Sequence, residues 1–243
     1  MNGLNGSSWA RGLHVLVTGG TQGIGKAVAE QFLRLGAKVT ITGTRTRIEC
    51  YEAPPEGVTY LQADLTWPEA RAEVAAHIER LDVLINNAGR GSAREYEQEE
   101  FEHVIDTNLN AVMDLSVRLH PLLKESKGSI VNVGSLASFL ALKETPAYTA
   151  SKAGLLGLTR ALADKWALDP VRVNLVAPGF IETRMTEGAR TNPEREKKLM
   201  RAIPMQRWGD PDEVAQAILF LASPGASYIT GQSLAIDGGL LLR

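Results

Sequence analysis

A single cysteine, Cys50, gives this chain of 243 residues no partner for an intrachain disulfide and no thiolate cluster for a metal. Histidine is nearly as scarce, and His14, His77, His103 and His120 fall at no H-x-x-x-H or related ligand interval, so no metal is expected. Long apolar runs are missing too, and nothing approaches the ~18 residues that a membrane span requires. The opening MNGLNGSSWARG has no apolar core behind a basic end and reads as a loose arm over residues 1–11 rather than a signal peptide. Charge is balanced: 26 Lys and Arg stand against 28 Asp and Glu, a formal net charge of -2, with no basic stripe. Neither nucleic acid nor membrane is therefore an expected partner, and the cytoplasm is the expected location.

What is present is apolar substance and alternation. Hydrophobic residues make up 44% of the chain, enough for one large core. Short strand-like runs at 13–18, 38–42, 58–63, 82–86, 129–135, 171–177 and 233–237 alternate with stretches of helical period. Helices are expected after Gly23, near Thr66, Pro68 and Glu69, over 97–124, over 147–168 and over 211–222, with Thr66 as a hydroxyl cap. The strands are continuously apolar, which suits a sheet covered on both faces. The expected fold is α/β: one Rossmann-like domain over 1–243, doubly wound, with a mostly parallel sheet and helices on both sides. No repeat or linker interrupts it.

Three stretches bear on chemistry. TGGTQGIG at 18–25 lies between the first strand and the first helix, with Gly19, Gly23 and Gly25 allowing a tight turn and close backbone approach to a pyrophosphate at a helix N-terminus. Its spacing differs from the usual G-x-G-x-x-G. NNAG at 86–89 closes the fourth strand, at the edge where open α/β sheets bind ligands. Asp64 ends the third strand and either accepts a hydrogen bond from an adenine amino group or caps the next helix; both readings stay open. YTASK at 148–152 stacks Tyr148 and Lys152 on one helix face. If both face a cleft, the ammonium favours the phenolate, and the phenol becomes a candidate proton carrier.

Taken in order with Gly134-Ser135 and Pro178-Gly179, these motifs make the chain resemble the short-chain dehydrogenase/reductase family from about residue 12 to 240. Ser135 precedes Tyr148 by 13 residues, and Lys152 follows at the Y-x-x-x-K interval. The resemblance implies a catalytic set of Asn108, Ser135, Tyr148 and Lys152. In it Tyr148 exchanges a proton with a carbonyl or hydroxyl oxygen, and Ser135 hydrogen-bonds that oxygen. Lys152 lowers the tyrosine pKa and binds the nicotinamide ribose, and Asn108 holds a relay water, while Asn110 falls on the other side of the helix.

For the nicotinamide cofactor the resemblance implies contacts from Gly19, Thr21, Gln22, Gly23, Ile24 and Gly25 around the phosphates, and from Thr44, Arg45, Asp64 and Leu65 around the adenosine. Asn87, Ala88, Gly89, Tyr148, Lys152, Pro178, Gly179, Ile181 and Thr183 complete the set. Gly43 stands where NAD-preferring members often carry Asp, and Thr44, Arg45 and Arg47 follow, so NADP is favoured and NAD remains usable. Gln22 sits where many NADP-using relatives have a basic residue.

Residues 184–206 correspond to the family's substrate lid, and Arg90, Ser135, Leu136 and Met185 border the expected pocket. The partner is a small-molecule alcohol or ketone. The RLDVLINNAG run and the short 43–57 segment are similar to those of dehydrogenases of sugars and sugar acids. A reductase of 3-oxoacyl thioesters is the alternative. A non-catalytic nicotinamide sensor would be expected to lack Tyr148 or Lys152, and both are present. The resemblance further implies a homotetramer in which the helix around 100–122 and the helix of Tyr148 pair across a twofold axis, with the apolar SLAIDGGLLLR tail near a subunit contact.

Overall fold

The computed structural model describes residues 9–242. Most of the expected loose arm, residues 1–8, lies outside the described residues. Its last part is a correction: Ala10 is fully buried and Trp9 meets Phe32 edge-on with ring centroids 6.0 Å apart, so the chain is already packed there.

The strands are β1 (His14–Val17), β2 (Lys38–Gly43), β3 (Thr59–Gln62), β4 (Val83–Asn86), β5 (Ser129–Val133), β6 (Arg172–Pro178) and β7 (Ser233–Ile236). The helices are α1 (Gly23–Arg34), α2 (Pro68–Ala76), α3 (Gln98–Ile105), α4 (Ala111–Ser126), α5 (Pro146–Trp166), α6 (Glu187–Arg190), α7 (Pro193–Ala202) and α8 (Pro211–Ala222). All seven strands run parallel in the order β3-β2-β1-β4-β5-β6-β7. The order reverses between β1 and β4, whose outgoing chains part to opposite sides and leave a crevice at their carboxyl ends.

Central strands are continuously apolar because both faces are covered. Val28, Phe32 and Ile218, from α1 and α8, pack on one face with Val17, Val39, Ile41 and Ile85. Leu115, Leu119, Leu162 and Trp166, from α4 and α5, pack on the other with Leu16, Leu84 and Ile130. Phe32 is completely buried, and truncating such a ring to alanine typically costs about 3–5 kcal/mol. Polar groups inside the sheet pair with one another: Asn86 Nδ2 donates to Asn132 Oδ1 at 2.9 Å, Asn132 Nδ2 to Thr159 Oγ1 at 2.9 Å, and Thr159 Oγ1 to the Leu155 carbonyl at 2.8 Å. This ladder ties β4 and β5 to α5. No helix among the described residues is long and apolar enough to cross a membrane.

Two local expectations change. The N-cap of α2 is Trp67, without a side-chain bond, and Thr66 instead receives its turn from Asp64, whose Oδ1 accepts the Thr66 N–H at 3.0 Å. The expected helix over 97–124 is interrupted by a π turn, Asp106–Asn110, between α3 and α4. Such turns are frequent at functional sites, and this one carries the buried Asn108.

Candidate active site

The loop after β1 enters α1 so tightly that side chains have no room. A Cβ on Gly25 would lie 2.3 Å from the Gly19 carbonyl oxygen and 2.5 Å from Asn87 Nδ2; one on Gly19 would lie 2.9 Å from Ala88 Cα. Gly19 and Gly23 also adopt φ of +64° and +54°, which glycine alone adopts without strain. Gly20, which the motif spacing does not mark, is equally constrained: a Cβ there would lie 2.5 Å from Ile41 Cγ2.

Asn87 braces this loop, donating from Nδ2 to the Thr18 and Gly19 carbonyls, both at 3.0 Å, while Thr18 Oγ1 accepts the Asn87 and Ala88 N–H groups. Gln22, the N-cap of α1, makes no side-chain bond, and the first turn holds no acid. The helix thus presents free N–H donors and a positive dipole end, a set that fits a pyrophosphate. Thr21 is buried under the loop and Ile24 packs on the core. Across the crevice, Thr183 Cγ2 would stand 3.2 Å from a Cβ on Gly23. Pro178 ends β6, Gly179 fits against Asp237, whose Cα would lie 2.8 Å from a Cβ there, and Ile181 is buried. A cleft of roughly 320 Å³ opens beside Gly23 and Thr183, walled by Arg184, Glu187 and the Arg190–Glu182 ion pair at 3.3 Å.

Past the carboxyl ends of β2 and β3, Leu65 is buried, while Thr44, Arg45 and Asp64 are exposed. The Arg45 guanidinium lies 4.8 Å from the Tyr51 ring centroid and donates to the Cys50 carbonyl; its main-chain N–H donates to the Tyr51 hydroxyl at 2.9 Å. The Tyr60 hydroxyl donates to the Arg45 carbonyl. A Cβ on Gly43 would meet the Tyr51 hydroxyl at 2.7 Å. Tyr51 and Tyr60 were not singled out from the sequence, where they are merely two aromatics flanking a Pro- and Glu-rich loop.

The catalytic candidates gather at the carboxyl edge of β4 and β5. Lys152 is 4% exposed and its Nζ donates to the Val133 carbonyl at 2.8 Å and lies 5.6 Å from the Tyr148 ring centroid. Burial pulls its ammonium down to about 8. Gly89 closes over this corner: a Cβ there would lie 3.4 Å from Asn108 Oδ1 and 3.5 Å from Lys152 Nζ.

Asn108 engages its whole amide, Oδ1 accepting the Arg90 N–H at 2.9 Å and Nδ2 donating to the Arg90 carbonyl at 2.9 Å and to Ser151 Oγ at 3.1 Å. Its side chain therefore clamps the pocket loop. Asn110 points elsewhere, donating to Asp106 Oδ1 at 2.6 Å. Ser151, which bridges Asn108 and the Tyr148 carbonyl, hides inside YTASK as a small helix residue. Ser135 follows β5, its Oγ accepts the Ala137 N–H at 3.2 Å, and it lies near enough to the Tyr148 phenol to pull it down.

Burial works against one expectation here. It pushes the Tyr148 phenol up, the nearby Ser135 hydroxyl pulls against it, and the Glu95 carboxylate pushes it up further. The cause is that the corner is dry and the ammonium faces the ring, with its hydrogen bond going to Val133. Among the pocket candidates, Leu136 is buried, the Arg90 guanidinium is held by Glu100 at 3.2 Å, and Met185 on the lid is 61% exposed.

A comparison with known proteins agrees with this geometry. The family described as Enoyl-(Acyl carrier protein) reductase matches residues 19–241. A 2-dehydro-3-deoxy-D-gluconate 5-dehydrogenase of Bacillus subtilis is 35% identical over 96% of both chains. A 3-oxoacyl-(acyl-carrier-protein) reductase of Vibrio cholerae is 37% identical over 93% of this chain and 96% of its own. Among solved structures, the aldohexose dehydrogenase of Thermoplasma acidophilum superposes with a TM-score of 0.88 at 35% identity, covering 98% of this chain and 97% of that one. A putative NAD(P)-dependent gluconate 5-dehydrogenase of Beutenbergia cavernae with bound NADP gives 0.87 at 36%, covering 96% and 98%.

Proposed function

The chain belongs to the short-chain dehydrogenase/reductase family of NAD(P)-dependent oxidoreductases, and from that premise we propose that it interconverts a secondary alcohol and a ketone on a sugar acid or sugar. The observation that carries the reading is the corner in which Ser135, Tyr148 and Lys152 meet beside the glycine cradle. The nicotinamide, when bound, supplies or takes the hydride. This chain's residues do the rest. Tyr148 gives a proton to the substrate oxygen during reduction and takes it during oxidation, a step worth ~10²–10⁴-fold for a positioned acid or base. Ser135 orients that oxygen and stabilises its developing charge. Lys152, charged below about 8, holds the ribose hydroxyls. A raised phenol is protonated near neutral pH, the form that can donate during reduction.

Support for the substrate class comes from relatives named for gluconate, deoxygluconate and aldohexose. The 3-oxoacyl thioester reading is kept as the second, because relatives named for that reaction match at similar identity. The absorbance of NADPH and NADH at ~340 nm, followed with gluconate, 2-deoxygluconate, an aldohexose, a cyclic alcohol and an acetoacetyl thioester, separates them; turnover of the thioester alone discards the sugar reading.

NADP is the favoured cofactor, since Gly43 offers no carboxylate to repel a 2′-phosphate and Arg45 stands two residues on. Exposed Met113 and Val117 on α4, with Leu234 and Leu242 near the end of the chain, support a homotetramer, which sedimentation at micromolar concentration tests.

A further inference from the structure

Beyond the NNAG turn, the loop SAREYEQEE carries a carboxylate that the chemistry above leaves unused. Its neighbours Arg94, Tyr96 and Glu97 are exposed, yet Glu95 is 1% exposed. Each of its oxygens accepts a main-chain N–H, and the two donors belong to different walls of the pocket: Ser92 in its own loop at 2.9 Å, and Tyr148 in the first turn of α5 at 2.8 Å. The Tyr148 N–H is one of those that a helix leaves without an internal partner, and the N-cap Thr145 makes no side-chain bond. A carboxylate from a distant loop therefore caps α5, with the sign of charge that its dipole favours. The same loop is fastened nearby, Tyr96 donating from its hydroxyl to the Lys143 carbonyl at 2.8 Å.

We propose that Glu95 is a positioning residue for the proton transfer: by bonding the main chains of Ser92 and Tyr148 at once, it fixes the Tyr148 phenol against the pocket loop and sets where the phenol meets the substrate oxygen. This rests on the reading of Tyr148 as the proton carrier. Two charged groups lie by Tyr148, the Glu95 carboxylate on its main-chain N–H and the Lys152 ammonium 5.6 Å from its ring centroid; Ser135, after β5, is uncharged, and Arg90 is drawn to Glu100. Glu95 thus also holds the phenol in its protonated form.

The test uses the full chain as Glu95→Gln, Glu95→Ala and Tyr148→Phe, with hydrogen exchange, NADPH binding by fluorescence, and kinetics on whichever compound of the panel above turns over fastest. Glutamine keeps the shape but offers only one acceptor atom, so one N–H loses its partner. Segments 91–97 and 145–149 are expected to exchange faster together, roughly tenfold in Glu95→Ala, as loss of a buried hydrogen bond implies. kcat should fall about 10- to 100-fold, as displacement of a reacting group implies, while NADPH affinity stays within about twofold.

In Glu95→Gln the rise of the oxidation rate with pH should move to lower pH, because the negative charge that opposed phenolate is gone; a role confined to loop folding would leave that limb in place. An unmoved limb in Glu95→Gln, or faster exchange in only one of the two segments, overturns the proposal. Tyr148→Phe separates the two claims. If it keeps more than about a tenth of kcat, the functional reading falls; if it is inactive while Glu95→Gln matches the wild type, only the positioning role falls.

Discussion

Lys152 and Arg45 are both cations assigned to the same dinucleotide, and they are held in opposite ways. Lys152 lies under the NNAG turn, hydrogen-bonded to a strand carbonyl and pulled down to about 8 by burial. Arg45 lies open to solvent across a tyrosine face, on a loop whose arginines have no core to pin them. A buried polar group must find its partners, so its position follows from the packing around it. An exposed guanidinium forms interactions worth little and keeps its freedom. The proposed catalytic corner is therefore held by packing, and the edge proposed to select the cofactor is held by exposed contacts.

The sharpest way to break this contrast is at the corner. Tyr148→Phe removes one hydroxyl and keeps the ring that packs beside Lys152, so kcat is expected to fall by ~10² or more with NADPH affinity nearly unchanged. Stopped-flow turnover and fluorescence titration read the two quantities separately. Retention of more than about a tenth of kcat would move the proton transfer elsewhere and dissolve the preorganised corner.

Next in size is Lys152→Met. The wild-type ammonium loses its charge as pH rises through about 8, so NADPH should bind more weakly above that value. The methionine variant should bind NADPH about 10- to 100-fold more weakly at pH 7, an estimate taken from the ~1.5–3 kcal/mol of a charged hydrogen bond, and show no inflection near 8. Titrations from pH 6 to pH 9.5 decide it; an identical inflection in the variant would assign the titration to another group.

The exposed edge should respond by a change of preference rather than a loss of rate. Arg45→Ala is expected to lower the NADPH-over-NADH ratio of kcat/KM about tenfold, the size of a solvent-exposed charged contact to a phosphate. Gly43→Asp alone should fail to install strong NAD use, because its side chain would start 2.7 Å from the Tyr51 hydroxyl. Steady-state kinetics with both cofactors checks the pair, and an Arg45→Ala ratio that does not move toward NADH removes Arg45 from the 2′-phosphate.

How far the sequence could be read follows the same division. The order of β1, β4, β5 and α5, and the corner of Ser135, Tyr148 and Lys152, were legible because strand runs and motif spacings are local and the chemistry needs those residue types. Glu95 was not legible: it looks like one more acid in a solvated run, and only the fold brings it under α5. The Tyr148 shift was misread for a related reason. Spacing puts Lys152 on the phenol's face of the helix, but it does not encode burial, which pushes the phenol up. The π turn at Asp106–Asn110 likewise sits inside an unbroken helical period.

The smallest effect should come from residues 184–206, the lid that the family resemblance implies. Helices α6 and α7 contain no buried residue, and Met185 is 61% exposed in the turn that precedes them. Substitution at such a site changes stability by about ±0.5 kcal/mol or less, so Met185→Ala should leave thermal unfolding within about 2 °C of the wild type. If Met185 lines the pocket when the lid closes, losing its thioether arm removes apolar contact of about 1–2 kcal/mol from a bound substrate, raising KM roughly fivefold to thirtyfold with kcat nearly constant. A variant with unchanged KM places Met185 outside the pocket. A variant with a large drop in unfolding temperature would instead show that the lid is packed against the domain in solution, and the contrast between fixed corner and adjustable surface would have to be redrawn.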